Sequence, residues 1–124
     1  MRVLYVDDDR VNALLFVEVC RLAPGVEVES ASSGEEALGM LPDFAPDLCV
    51  LDLHLPDTDG LALLPQLRHA AERELPAYLC TAEDDPSLEA RAANAGFEGC
   101  WSKPLDLSRI LAELRRLARA GPAV

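Results

Sequence analysis

Short apolar runs alternate along the chain with stretches whose apolar residues recur at helical spacing. The apolar runs predict five strands, at residues 3–6, 26–29, 48–51, 76–80 and 99–102. Because a predicted helix separates each strand from the next, the chain must cross over between them, which makes the strands parallel. The pattern therefore predicts an α/β fold, a doubly wound (βα)5 sandwich with helices on both faces of one sheet.

The first predicted helix is amphipathic, and the strand that follows it differs from the other four. This helix, which the Pro-Gly pair at residues 24–25 ends, is expected to bury one stripe of apolar side chains: Val11, Leu15, Val19 and Leu22. The second strand alternates Val and Glu with period 2, so we expect it at an edge of the sheet. A capping-box pattern at residues 33–36 opens the second helix, which is expected to run to about Leu41, before Pro42.

Turn and capping residues also delimit the later helices. The third helix follows a turn at residues 55–60. Asp85 is expected to cap the fourth helix, with Pro86 at its first helical position and Gly96 at its end. Asp106 is expected to cap the fifth.

Length and composition fit one globular domain over residues 1–124, with residues 118–124 expected to form a frayed tail. The chain has 124 residues, of which 50% are hydrophobic and 27% charged. No stretch approaches the ~20 apolar residues of a membrane span, and the N-terminus carries no secretion signal, which predicts a cytoplasmic protein without membrane contact. The formal net charge of −11 argues against direct binding to nucleic acid.

The cysteines and histidines have no spacing typical of a metal site. The four cysteines contain no Cys-x-x-Cys pair and are expected to be buried, reduced thiols: Cys20, Cys49, Cys80 and Cys100. His54 and His69 are expected at the surface.

Polar residues of different chemistry follow four of the predicted strands. They are Asp7, Asp8 and Asp9 after the first strand, Asp52 after the third, Thr81 after the fourth and Lys103 after the fifth. In doubly wound sheets, ligands bind outside the carboxyl ends of the strands. Because clustered carboxylates repel one another, a hard divalent cation is the natural occupant, and Mg²⁺ fits best since it leaves room for a phosphoryl group. Alone, the three consecutive aspartates would more often form a solvated turn.

A carboxylate at such a site can act as a nucleophile and become an acyl phosphate. Asp52 is the candidate, because it stands alone at the end of the most apolar strand, whereas Asp7 and Asp8 are paired and better suited to holding the ion. Lys103, the only lysine among 11 basic residues, supplies an ammonium group, and Thr81 supplies a hydroxyl.

The chain resembles the receiver domain of two-component response regulators in four runs: VLYVDDD (residues 3–9), PDLCVLDLHLPDTDG (46–60), LCTA (79–82) and SKP (102–104). The resemblance implies a flavodoxin-like sheet of strand order 2-1-3-4-5. It also implies a phosphoacceptor signalling domain and not an enzyme, with catalysis limited to its own phosphotransfer and autodephosphorylation. Its implied partners are a histidine kinase or a histidine phosphotransfer protein, which phosphorylates Asp52, and an output partner on the face of helix 4, strand 5 and helix 5. Phosphorylation-dependent dimerisation stays an open option.

The resemblance also implies a role for individual residues. Asp8 would bind Mg²⁺ (or Mn²⁺ in its place) directly, with Asp52 as a further ligand, Asp7 through water and the His54 carbonyl completing the set. Thr81 would move toward the phosphoryl group and Lys103 would pair with it. The Lys103-Pro104 bond is expected to be cis.

The chain departs from the family pattern where a switch aromatic usually lies, three residues before the lysine. Cys100 occupies that position and Trp101 follows it. Either Trp101 substitutes for the aromatic, or output depends on Thr81 and the helix 4 face. His54 and Glu83, two residues after Asp52 and Thr81, are predicted to tune the lifetime of the acyl phosphate.

Two other functions compete with a phosphoacceptor switch. An aspartate-nucleophile phosphohydrolase would also use Mg²⁺, but its nucleophile lies on the first strand with a second Asp two places on, whereas residue 54 is His. A degenerate receiver used only for binding is disfavoured because every phosphorylation residue is present. The sequence leaves open whether the domain stands alone or belongs to a larger regulator or hybrid kinase.

Overall fold

A computed structural model describes residues 1–120 of the chain. The elements follow one another as β1 (Arg2–Val6), α1 (Arg10–Cys20), β2 (Glu27–Ala31), α2 (Gly34–Phe44), β3 (Leu48–Asp52), α3 (Gly60–Ala71), β4 (Ala77–Thr81), α4 (Leu88–Asn94), β5 (Gly99–Ser102) and α5 (Leu107–Ala120). The strands pair in parallel in the order β2-β1-β3-β4-β5. The predicted flavodoxin-like fold is therefore confirmed, with β2 at an edge.

The core consists of two apolar layers, one on each face of the sheet. Alternate residues of β1, β3 and β4 pack against α2, α3 and α4 on one face, with Leu51, Leu63 and Leu79 among the most buried. The intervening residues of the same strands pack against α1 and α5 on the other, around Phe16, Ile110 and Leu114. The period of two along each strand places the side chains on these faces.

The predicted buried stripe of α1 is wrong, although the helix itself is confirmed. Only Val19 of that stripe is buried, together with Phe16 and Cys20. Four large apolar side chains of the α1 region are between 46% and 66% exposed: Val11, Leu14, Leu15 and Leu22. The reason is the ring of Phe16, which stacks on Tyr5 with 4.3 Å between centroids and thereby sets the rotation of the helix against the sheet.

Two helix boundaries also differ from the prediction. The second helix continues past Leu41 through Pro42 and ends at Phe44, with Ala45 (φ 48°) as its C-cap. Because Pro42 lies on the exposed side of the last turn, packing of Leu41 holds the helix despite the missing N–H. The fourth helix begins at Leu88, because Asp85 accepts hydrogen bonds from the amide and hydroxyl of Ser87 in a turn and does not cap a helix beginning at residue 86.

The cap of the last helix and three of the four cysteines follow the prediction, whereas the helix runs three residues into the predicted tail, residues 118–120. Asp106 caps α5 by accepting a hydrogen bond from the amide of Arg109 at 3.2 Å. The helix extends to Ala120, and residues 121–124 of the predicted tail lie outside the described residues. All four cysteines are free, three of them buried and Cys100 half-buried. Within residues 1–120, no helix combines the length and hydrophobicity that a bilayer span requires.

Candidate phosphorylation site

The parallel register brings the ends of four strands together at one edge of the sheet. Val6 pairs with Leu51, so that Asp7 and Asp52, the next residues, lie side by side. Thr81 ends β4, and Lys103 follows β5. A cavity of about 460 Å³ opens here, lined by Asp7, Asp8, Asp9, Asp52, His54, Leu55, Pro56, Ala82, Glu83 and Lys103. The structure thus places most of the predicted site residues around one pocket, at the position that doubly wound folds use for ligands.

Three carboxylates of this pocket form a candidate cation site. Asp7, Asp8 and Asp52 each offer an oxygen within 4.8 Å of the others. Asp7 and Asp52 are buried, whereas Asp8 is exposed at the pocket mouth. The third consecutive aspartate, Asp9, has a different role, because its carboxylate caps α1 by accepting hydrogen bonds from the amides of Val11 and Asn12.

Lys103 lies between the two buried carboxylates. Its Nζ is 2.9 Å from Oδ2 of Asp7 and 3.1 Å from Oδ2 of Asp52, and its side chain is 13% exposed. Burial alone would lower the pKa of Lys103, but the hydrogen bonds to these carboxylates raise it above its ordinary value. The Lys103-Pro104 bond is cis, as predicted.

The pKa values of the two buried carboxyl groups are shifted in opposite directions. Burial favours the protonated form of Asp7, yet hydrogen bonds from Lys103, the Asp9 amide and Tyr5 hold its pKa below the ordinary value. Burial raises the pKa of Asp52, and the charge of Asp7 adds to this while Lys103 opposes it. Asp52 is therefore the more basic carboxylate of the pair, which suits a nucleophile, whereas the pocket favours the ionised form of Asp7.

His54 and Glu83 line the same pocket as the carboxylates, whereas Thr81 does not line it but ends β4, the strand next to that of Asp52. The buried Thr81 hydroxyl accepts a hydrogen bond from the amide of Glu83 at 3.0 Å, which fixes the start of the loop after β4. Nε2 of His54 contacts Oε1 of Glu83 at the pocket mouth. Both His54 and His69 are exposed, as expected, but the contact with Glu83 joins two loops and is not visible in the sequence.

Cys100 and Trp101 point to opposite faces of β5. Cys100 packs with the layer of α2, α3 and α4, the face to which the side chain of Thr81 also belongs by its register on β4. Trp101 packs with the layer of α1 and α5, where its ring stacks on Tyr78 with 4.4 Å between centroids. The aromatic ring of Trp101 is thus separated by the sheet from the side on which Cys100 lies.

Sequence reasoning missed two residues that support the pocket. The buried Tyr5 donates a hydrogen bond from its hydroxyl to Asp7 Oδ2 at 2.8 Å. Its position two residues before Asp7, at the end of β1, could have indicated that both side chains lie on one face of the sheet. Asp57 accepts hydrogen bonds from the amides of Gly34 and Glu35, which lower its pKa and tie the loop after β3 to the start of α2. No sequence signal pairs these distant segments.

Comparisons with known proteins show the family to which the chain is similar. The family model of the response regulator receiver domain matches residues 3–115. Response regulator MprA of Mycobacterium avium (strain 104) is 38% identical over 125 residues, covering 96% of this chain and 51% of that protein. The structure of a two-component response regulator from Clostridium difficile has a TM-score of 0.87 at 24% identity over 99% of both chains. Chemotaxis protein CheY4 of Vibrio cholerae has a TM-score of 0.80 at 26% identity, covering 93% of this chain and 96% of its own.

The fold and the family match define a signalling domain of two-component systems. The chain belongs to the response regulator receiver domain family. It spans about half the length of the curated relatives it matches.

Proposed function

We propose that the domain is a phosphoacceptor switch in which Asp52 receives a phosphoryl group from a histidine kinase or a histidine phosphotransfer protein. The observation that carries the proposal is the position of Lys103, whose ammonium group lies within 3.1 Å of Asp52 while Asp7 and Asp8 border the same pocket. A nucleophilic carboxylate, a cation and further carboxylates for a metal are the groups that phosphoryl transfer onto Asp requires.

The transfer step follows from the position of Asp52. One carboxylate oxygen of Asp52 forms a bond to phosphorus while the bond from phosphorus to the donor's imidazole nitrogen breaks. The electron pair of the broken bond stays on the imidazole nitrogen. The ring takes up one proton from solvent and leaves as neutral imidazole. Lys103 lies where negative charge develops on the transferred oxygens and stabilises it.

The carboxylate set fits Mg²⁺, a hard cation that prefers oxygen ligands and needs few protein groups. Two buried aspartates with one lysine between them leave net negative charge in the pocket, which a divalent cation offsets. Asp8 and Asp52 would bind the ion directly, Asp7 through water and His54 through its carbonyl, and Mn²⁺ could replace Mg²⁺. Bound there, the ion would neutralise charge on the phosphoryl oxygens.

Output would pass through Thr81 to the face of α4, β5 and α5. The Thr81 hydroxyl lies at the end of β4 and holds the loop that leads to α4, so its movement toward a phosphoryl group would release the Glu83 amide. A groove of about 490 Å³ lies on this face, bordered by Glu89, Cys100, Trp101 and Arg109. Because Trp101 stacks with Tyr78 on the α5 side, we assign the switch to Thr81 and not to an aromatic residue of β5.

Acetyl phosphate labelling tests the proposal directly. With Mg²⁺ present, the protein is expected to gain one phosphoryl group by intact mass, and EDTA is expected to prevent this. Asp52→Asn is expected to abolish labelling, while Asp43→Asn, an exposed aspartate on α2, is expected to label normally. Labelling that persists in Asp52→Asn, or wild-type protein that does not label, contradicts the proposed function.

A further inference from the structure

The ring of Tyr5 lies in the apolar core, but its hydroxyl contacts Asp7, a residue that lines the pocket. Tyr5 is fully buried, and its ring stacks on Phe16 at an interplanar angle of 14°. Its hydroxyl donates to Oδ2 of Asp7 at 2.8 Å. A buried tyrosine hydroxyl needs a partner, and the partner here is the carboxylate next to the proposed phosphorylation site.

Oδ2 of Asp7 accepts two hydrogen bonds, one from Tyr5 and one from Lys103 at 2.9 Å. Since a carboxylate oxygen has two lone pairs in its plane, this oxygen has no remaining site for a cation. The other oxygen, Oδ1, accepts one hydrogen bond from the amide of Asp9 at 2.9 Å. Asp7 can therefore act on a cation only through Oδ1 and through its charge, whereas Asp8 and Asp52 each offer an oxygen as well.

The hydroxyl of Tyr5 weakens the attraction between Asp7 and Lys103, because both groups donate to Oδ2 of Asp7. Lys103 Nζ is shared between Asp7 at 2.9 Å and Asp52 at 3.1 Å, so a phosphoryl group on Asp52 must draw it away from Asp7. A hydroxyl that donates to the same oxygen of Asp7 reduces the negative charge that Lys103 meets there.

We propose that Tyr5 is a positioning residue of the phosphorylation site that acts through Asp7. It partly neutralises Asp7, which moderates cation affinity in the unphosphorylated protein and leaves Lys103 free to move to the phosphoryl group on Asp52. This inference rests on the proposed function for the role of Asp52, but its effect on cation binding does not depend on phosphorylation.

Tyr5→Phe isolates the hydroxyl, because the phenyl ring keeps the stack on Phe16 and leaves no unpaired polar group. Asp7 then keeps one hydrogen-bond donor on each carboxylate oxygen, Lys103 on Oδ2 and the Asp9 amide on Oδ1. The orientation of the carboxylate therefore stays fixed, while fewer donors offset its negative charge. Mn²⁺ or Mg²⁺ is expected to bind Tyr5→Phe about threefold to tenfold more tightly, the range of one hydrogen bond. Beryllofluoride, which mimics the phosphoryl group on Asp52, is expected to bind more weakly by a similar factor at saturating Mg²⁺.

Tyr78→Phe is the matched control. Tyr78 also stacks on an aromatic ring, that of Trp101, and donates its hydroxyl to a carboxylate, Oε1 of Glu113 at 2.9 Å, but it lies away from the pocket. Cation and beryllofluoride affinities of Tyr78→Phe are expected to equal those of the wild type. In an Asp7→Asn background, Tyr5→Phe is expected to leave cation affinity unchanged, since the group through which it acts is gone.

The measurements are a Mn²⁺ titration followed by electron paramagnetic resonance, with Mg²⁺ as competitor, and calorimetric titration of beryllofluoride. Opposite changes in the two affinities, confined to Tyr5→Phe and dependent on Asp7, support the proposal. Any result in which the two affinities do not move in opposite directions overturns it, because a general loosening of the pocket would weaken both. If wild-type protein fails to label with acetyl phosphate, the proposed function fails, while the cation titration still decides the action of Tyr5 on Asp7.

Discussion

The ammonium nitrogen of Lys103 lies 3.1 Å from Oδ2 of Asp52, across the sheet from the end of β5 to the end of β3. The same nitrogen is 2.9 Å from Oδ2 of Asp7. One ammonium group thus faces two buried carboxylates, and the pocket keeps a net negative charge that an added divalent cation can balance. This imbalance links the stability of the domain to metal binding and to phosphorylation.

Removing the ammonium group is expected to destabilise the fold. In Lys103→Met, two carboxylates remain buried without a counter-charge, which we expect to lower the free energy of unfolding by roughly 3 kcal/mol. Mg²⁺ is expected to restore a large part of this loss, because it supplies positive charge to the same carboxylates. Urea unfolding at pH 7, with EDTA and with Mg²⁺, measures both effects.

Arg21→Met serves as the control for Lys103→Met. Arg21 pairs with Glu18 at 3.0 Å on the surface, and such exposed pairs contribute less than about 1 kcal/mol. A loss in Lys103→Met no larger than that in Arg21→Met would contradict the idea that Lys103 compensates buried charge.

Gly60 is expected to be intolerant of any side chain. A Cβ there would lie 2.6 Å from the carbonyl oxygen of Asp52 and 2.8 Å from Cδ1 of Leu79, so α3 would have to move away from β3. Gly60→Ala should therefore cost about 1–3 kcal/mol of unfolding free energy and impair labelling of Asp52. Gly39→Ala, in α2 with nothing within 4 Å of the new Cβ, should instead stabilise the domain by about 0.5–1 kcal/mol. Thermal unfolding of both variants is the measurement, and equal effects would refute the argument.

The contact between His54 and Glu83 is expected to slow hydrolysis of the acyl phosphate. Both side chains border the mouth of the pocket, and their contact restricts the path of water to Asp52. His54→Ala and Glu83→Ala should each shorten the lifetime of phosphorylated protein, by up to roughly tenfold if one hydrogen-bonded contact is lost. The double variant should add little, because each single change already removes the contact.

His69→Ala provides the reference for these lifetimes, since His69 is an exposed histidine of α3 that does not border the pocket. Loss of phosphoryl label is followed over time after removal of acetyl phosphate. Unchanged lifetimes in both His54→Ala and Glu83→Ala would show that the contact has no such role.

The fluorescence of Trp101 is expected to be insensitive to activation. Trp101 is the only tryptophan, and it lies with Tyr78 on the face of β5 opposite to Cys100. Beryllofluoride with Mg²⁺ should therefore leave its emission unchanged, whereas Tyr78→Leu, which removes the stacked ring, should alter it. If beryllofluoride changes the emission and Asp52→Asn abolishes that change, Trp101 takes part in the switch and the assignment to Thr81 alone is wrong.

Local information in the sequence is sufficient for the architecture and for the position of most of the site residues at one edge of the sheet. Apolar runs and capping residues predicted the strands and helices, because each depends on residues a few positions apart. The rule that ligands bind at the carboxyl ends of parallel strands places Asp52, Thr81 and Lys103 at one edge of the sheet from the sequence alone. The resemblance to receiver domains added the strand order and the roles.

Packing between distant segments accounts for what the sequence did not reveal. The rotation of α1 depends on Phe16 meeting Tyr5, so an apolar stripe that looked buried is largely exposed. The contact between His54 and Glu83 and the opposite orientations of Cys100 and Trp101 likewise required the assembled loops and sheet. Periodicity in the sequence indicates which residues share one face of a helix or strand. What that face packs against depends on the shapes and charges of side chains from distant segments, which only the complete fold brings together.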